Sequence, residues 1–259
     1  MSVKAMEQQR RTENLCRMPC RGHRMIENNA QSKGSPEVGH WLNFSPNPTD
    51  ILHDFCGPHD IAGALCPNCN KPLMRLLSLY AKDNRLGFDP VRQPVVHLLY
   101  CWTCSIPFGE FSYKVASDGS VELLQVPPRQ PEMEFGQEGP YEGYTGVFPH
   151  RQVSLQPLTA DEQKQLRARV LDDFDDGDED LFTPRHQVGG YPFVYNPSKT
   201  SCPVCSSEMP LLAAICDSTI GNDAFGIEPE SSFTGNGGVQ MLFQFCRDCS
   251  VVSAYQSCD

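Results

Sequence analysis

The chain has 259 residues, 39% of them hydrophobic and 20% charged, with 20 Gly and 22 Pro, which suits one large domain or two modest ones rich in loops. Lys and Arg number 21 against 32 Asp and Glu, and the resulting formal charge of −11 repels phosphate backbones and anionic membranes. No apolar run approaches the roughly 20 residues of a bilayer span, and residues 1–24 lack the apolar stretch of a secretory signal, so a cytoplasmic protein is expected.

Residues 1–45 are expected to form a disordered arm, because Arg, Asn, Gln, Ser and Gly dominate and aliphatic periodicity is nearly absent. Met25 within it is a plausible alternative start. Residues 46–157 form a first β unit. There, Val95 to Cys101 is a compact apolar run, and Phe111, Tyr113 and Val115 alternate with Ser112 and Lys114 at the two-residue period of a half-buried strand. Asp118-Gly119 predicts a type I′ hairpin into Val121–Val126. Residues 127–157, rich in Pro and Gly, read as an irregular connection whose Tyr141, Tyr144 and Phe148 can dock on a core.

Residues 158–186 hold a helix and an acidic linker. Thr159-Ala160-Asp161-Glu162 matches a capping box, and Leu166 and Val170 follow at i and i+4, so a helix is predicted over about 160–172. It runs into seven acids within the nine residues 172–180. A calcium loop starting at Asp172 fails, since Phe174 takes position three and Thr183 takes position twelve. Residues 187–259 form a second β unit, in which Val239, Met241, Phe243 and Phe245 alternate with Gln240 and Gln244 and deliver the chain to Cys246. Residues 217–238 between its strands read as a long polar loop.

Thirteen cysteines, an odd count without a secretory signal, argue against a disulfide framework. Eight fall into four Cys-x-x-Cys pairs: Cys66/Cys69, Cys101/Cys104, Cys202/Cys205 and Cys246/Cys249. Their surroundings repeat. Cys-Pro-x-Cys opens each unit at Cys66 and Cys202, and an apolar strand enters a second pair followed by Ser105 or Ser250. Two such knuckles can direct four thiolates at one Zn²⁺ about 2.3 Å away, and a closed set of four makes the metal structural. Two structural zinc ions are therefore expected. A thioredoxin-like helix starting at Cys66 or Cys101 would be broken by Pro72 or Pro107, six residues on. Of the remaining cysteines, Cys16/Cys20 with His23, and Cys56 between His53 and His59, read as accidental groupings, and Cys216 as a core thiol.

No nucleophile motif or zinc-protease His pair is present, and Gly235-Asn236-Gly237-Gly238 precedes a strand instead of the helix a phosphate loop requires. From Asp60 to Val126 six basic residues face six acidic ones, and from Asn196 onward two face seven, a poor balance for nucleic acid. Lys71, Arg75, Lys82, Arg85 and Arg92 keep that alternative open for the first unit, and an unrecognised enzyme is the third class.

One ordered series carries a resemblance: His186 to Pro192 (HQVGGYP), Cys202-Pro203-Val204-Cys205, Met209 to Ile215 (MPLLAAI) and Gly238 to Phe243 (GVQMLF). Residues 186–250 thereby resemble the bacterial YwqG family and the related programmed-cell-death-protein-2 proteins, with Ala214 where those usually carry Gln. The resemblance implies a β-rich fold of paired halves, no established enzymatic activity, and a protein-binding role of chaperone or immunity type. The expected architecture is β-rich α+β: two pseudo-repeated zinc-knuckle β units joined by one helix and an acidic linker. The expected function is non-enzymatic protein binding, with zinc holding the scaffold. The partner surface is placed on the Gly189-Gly190 turn and the 217–238 loop, whose Asp223, Glu228 and Glu230 call for a basic protein and whose Phe225 and Phe233 supply apolar anchors.

Overall fold

The computed structural model describes residues 38–101, 111–126, 148–172, 185–192, 194, 198–216 and 239–258. The fold is β-rich α+β. Eleven strands form one antiparallel sheet: β1 (His40–Asn43), β2 (His53–Phe55), β3 (Met74–Tyr80), β4 (Val95–Tyr100), β5 (Phe111–Val115), β6 (Val121–Gln125), β7 (Arg151–Pro157), β8 (Gln187–Val188), β9 (Leu211–Cys216), β10 (Val239–Cys246) and β11 (Val251–Cys258). Their order is β4-β3-β2-β7-β1-β8-β9-β10-β11-β5-β6. Its first eight positions are palindromic in kind: a hairpin (β3–β4 or β9–β10), a short strand (β2 or β8), then a bridging strand (β7 or β1).

The apolar strands behave as their sequences demand. β4 and β10 are buried along nearly their whole described length, and β5 hides Phe111, Tyr113 and Val115 while Lys114 is exposed. Residues of both units share one core cluster. Phe55, Leu76, Leu77, Leu98 and Phe111 of the first belong to it with Leu212, Ile215, Met241, Phe243 and Val252 of the second.

The β5–β6 hairpin forms as predicted, with a different turn. Gly119 takes φ +84° while Asp118 has no positive φ, so the connection is a three-residue loop with a left-handed bulge glycine; type I′ needs two such residues. Ala116 closes it, accepting from Gly119 N–H (3.0 Å) and donating to Ser120 O (2.8 Å). The sheet then curls, so that Tyr113 of β5 meets the free edge of β4. Its phenol donates to His97 O (2.9 Å) and accepts from Leu99 N–H (2.7 Å), standing in for a missing neighbouring strand.

Two expectations of irregular chain are corrected. Residues 40–43, assigned to the arm, form β1, and 151–157, assigned to the connection, form β7; the two pair with each other at the middle of the sheet. Both are stabilised by long-range partners, β8 for β1 and β2 for β7. Phe148 docks on the core as expected, while Tyr141 and Tyr144 lie outside the described residues. Among the described residues there is one α-helix, α1 (Ala160–Asp172). The capping box is formed: Glu162 N–H donates to Thr159 Oγ1 (3.2 Å), and Thr159 N–H donates to Glu162 Oε2 (2.7 Å). Trp41 of β1 donates to the other oxygen of Glu162 (3.1 Å), which ties the helix start to the sheet. Leu166 is buried under it. No helix among the described residues is long and apolar enough to cross a membrane.

Candidate metal centres

The Cys-Pro-x-Cys segments fold into turns whose hydrogen bonds match one for one. In the first, Cys66 N–H donates to Lys71 O (2.9 Å), Asn70 N–H to Cys66 O (2.7 Å), and Leu73 N–H to Ala64 O (2.9 Å). In the second, displaced by 136 residues from 66 to 202, Cys202 N–H donates to Ser207 O (2.8 Å), Ser206 N–H to Cys202 O (2.8 Å), and Met209 N–H to Thr200 O (2.9 Å). Asn70 and Ser206, at the same place in each turn, both adopt positive φ (57° and 61°), which reverses the chain tightly after the second cysteine. Bridges Leu65–Pro72 and Ser201–Glu208 close the bases.

The strands that follow deliver the second pairs. β3 and β9 bulge at equivalent residues, Leu76 and Leu212, where they pair with β4 and β10. The hairpins therefore carry Cys101 and Cys246 back over the first turns. Cys69 Sγ lies 3.6 Å from Cys101 Sγ, and Cys205 Sγ lies 3.7 Å from Cys246 Sγ. A disulfide would hold the sulfurs at about 2.05 Å. Tetrahedral thiolates around a zinc ion at about 2.3 Å stand about 3.8 Å apart. The sulfurs of Cys202, Cys205, Cys246 and Cys249 all lie within 4.8 Å of one another, as do those of Cys66, Cys69 and Cys101. Both groups can hold a metal ion. Cys104, the fourth member expected of the first group, lies outside the described residues.

In the second group Cys202 and Cys246 are buried, Cys249 is half-buried and Cys205 is exposed. Ser207, through its side chain and its backbone N–H, holds the Cys205 thiol down to about 6, the outer-shell amide role that offsets thiolate charge. Burial raises the Cys246 thiol and pushes Cys249 up to about 11.

The other sequence candidates resolve into structure. Cys56 is buried against Leu76 O and belongs to neither group, and burial raises its thiol. His53 accepts from Tyr80 N–H at Nδ1 (3.2 Å), so Nε2 carries the proton and donates to buried Asp83 (3.2 Å), which is also gripped by Arg85. His59 bonds Leu73 O (2.6 Å). Cys216 is a core thiol as expected. Cys16, Cys20 and His23 lie outside the described residues.

Sequence reading missed that the correspondence extends upstream of the cysteines. His186 Nδ1 accepts from Cys216 N–H (3.1 Å) at the end of β9, as His53 does from Tyr80 N–H at the end of β3. Cys56-Gly57 and Gly189-Gly190, displaced by 133 residues, are all left-handed, and Cys56 and Gly189 donate to the bulge carbonyls of Leu76 and Leu212. The available signal was the shared His-x-apolar-x-Gly spacing of 53–57 and 186–190.

Gly189 is buried and Gly190 half-buried. A Cβ on Gly190 would stand 2.7 Å from Gly39 Cα, and one on Gly57 would stand 2.5 Å from His150 Cβ, so both glycines admit a crossing backbone. Of the other expected partner residues, Asp223, Phe225, Glu228, Glu230 and Phe233 lie outside the described residues.

The basic residues of the first unit are largely engaged. Arg75 donates to Cys56 O and Pro58 O, Arg85 to Asp83 and Leu155 O, and Arg92 pairs with Asp89. Lys82 sits over the Tyr80 ring. Comparison with family models, with curated proteins and with solved structures finds no match for the chain.

Proposed function

We propose that the chain is a non-enzymatic, zinc-stabilised protein-interaction protein of adaptor, chaperone or immunity type, acting in the cytoplasm on a basic protein partner. The observation that carries the metal reading is the convergence of Cys202, Cys205, Cys246 and Cys249 within 4.8 Å on two turns. Four thiolates fill a tetrahedral zinc shell and leave no position for water or substrate, which suits a structural ion. Cys66, Cys69 and Cys101, with Cys104 as fourth ligand, hold the other zinc, at the first centre. The matched turns, bulges and histidines support a pseudo-repeat of two zinc-knuckle units. Free thiols in this number suit a reducing compartment.

Charge distribution supports a basic protein partner over nucleic acid. The described residues carry 13 Lys and Arg against 12 Asp and Glu, leaving 8 against 20 for the rest of the chain. The acid excess lies in 127–147, 173–184 and 217–238. Arg75, Arg85 and Arg92 are spent on carbonyls and carboxylates, which leaves fewer cations for phosphate contacts among the described residues of the first unit. The resemblance of residues 186–250 to the YwqG and programmed-cell-death-protein-2 proteins points the same way.

Native mass spectrometry of the full chain should find two zinc ions. Capture from a native lysate should recover basic proteins, and deletion of residues 220–236 should abolish that recovery while zinc content is kept. A metal-free folded chain refutes the zinc reading, and unchanged partners after the deletion refute the placement of the surface.

A further inference from the structure

We infer that the second metal centre is completed by the first unit: residues 86–93 form its outer shell, so metal binding at Cys202/Cys205/Cys246/Cys249 and the order of that segment stabilise each other. This rests on the proposed metal at those four cysteines.

The contacts converge on the turn between Cys246 and Cys249. Gln93, only 3% exposed, donates from Nε2 both to Arg247 O (2.5 Å) and to Ser250 Oγ (3.0 Å), gripping the turn on either side of Cys249. Arg247 returns the contact across the junction. Its guanidinium donates to Leu86 O (2.7 Å) and to Gly87 O, and lies 5.3 Å over the Phe88 ring. Phe88 in turn packs edge-on against Phe245, the residue before Cys246 (centroids 5.5 Å apart). The same few peptide units that must bend for Cys246 and Cys249 to reach one ion are therefore held from outside by residues more than 150 positions earlier.

Ions and outer-shell groups that favour one conformation of a turn are linked, and the linkage is reciprocal. Metal at the four sulfurs fixes the carbonyl and side chain that Gln93, Leu86 and Gly87 grip. Those grips in turn pre-shape the turn for metal. The 86–93 segment also follows directly on Asp83 and Arg85, which close over His53 between β2 and β3. Loss of the ion from the second unit is thus felt in the first.

The test uses the full chain with Arg247→Ala and Gln93→Ala, reading zinc affinity by competition with a chromogenic chelator and amide exchange over residues 83–93, with 74–80 as internal reference. Both variants should retain two zinc ions, with affinity at one centre reduced about tenfold and exchange over 83–93 accelerated about tenfold. Chelation of the unaltered protein should accelerate exchange over the same residues, which requires no variant to fold. Arg247→Lys keeps the charge without the two-carbonyl fork and should fall between. Unaltered protein that binds no zinc removes the metal reading and this coupling with it. Two bound zinc ions with unchanged affinity in Arg247→Ala, or chelation that leaves 83–93 as protected as before, overturns the coupling alone.

Discussion

Replacing Tyr113 by Phe removes one oxygen atom from the core and exposes a dependence built into the sheet. The phenol is buried, donating to His97 O at 2.9 Å and accepting from Leu99 N–H at 2.7 Å. Both groups belong to the edge of β4, and both are shut off from water by the curl that brings β5 over it. In Tyr113→Phe they remain buried without that partner, at about 1–3 kcal/mol each, so a total loss of about 3 kcal/mol is expected. For a chain of this size that corresponds to a fall in Tm of about 6–12 °C. Urea unfolding in excess zinc should show the midpoint shift with an unchanged slope, since the same surface is exposed. Tyr255→Phe serves as the control. Its hydroxyl accepts from the N–H of exposed Ser198 (3.1 Å), which water can satisfy, so less than about 1 kcal/mol should be lost. Equal effects of the two variants, or a loss below about 0.5 kcal/mol for Tyr113→Phe, would refute the role of the phenol as a surrogate strand.

Acidification should destabilise the fold before the carboxylates titrate. Burial pushes His97 down to about 4 and His186 down to about 3, so below the ordinary value of 6.5 the unfolded chain takes up protons that the folded chain refuses. Stability is then full above pH 6.5 and falls by about 1.4 kcal/mol per pH unit for each histidine as pH drops from there toward 4. His97→Gln should remove one such increment from the slope of stability against pH, and an unaltered slope would contradict the shift. Gly190→Ala puts a Cβ 2.7 Å from Gly39 Cα at φ +65°, and should cost about 2 kcal/mol or more in thermal unfolding. Wild-type stability in that variant would show that the backbones do not cross so closely. Cys66→Ser and Cys202→Ser should each lower a single cooperative transition for the whole chain, because residues of both units share one core. Two separate calorimetric transitions in Cys202→Ser would show two independent modules.

Much of the local structure is written in short-range chemistry. The helix at 160–172 follows from Thr159 and Glu162, whose reciprocal bonds span only three positions, and the strands into Cys101 and Cys246 follow from a compact apolar run and from a two-residue alternation. The cysteine turns are legible for the same reason, since a Cys-x-x-Cys spacing constrains four consecutive residues. Other features were decided by partners far along the chain. β1 and β8 are four and two residues long, too short to display a period, and they exist because β1 pairs with β7 and with β8, each more than a hundred residues further along the chain. Gly189 and Gly190 read as a partner-binding turn in the sequence; only packing reveals that Gly39 crosses there and leaves no room for a side chain. Tyr113 reads in the sequence as a strand aromatic, and Arg247 only as one of the two basic residues after Asn196. Their work is set by which backbone carbonyls the curled sheet brings within 3 Å of them, and that depends on closure of the whole sheet, which no local pattern encodes.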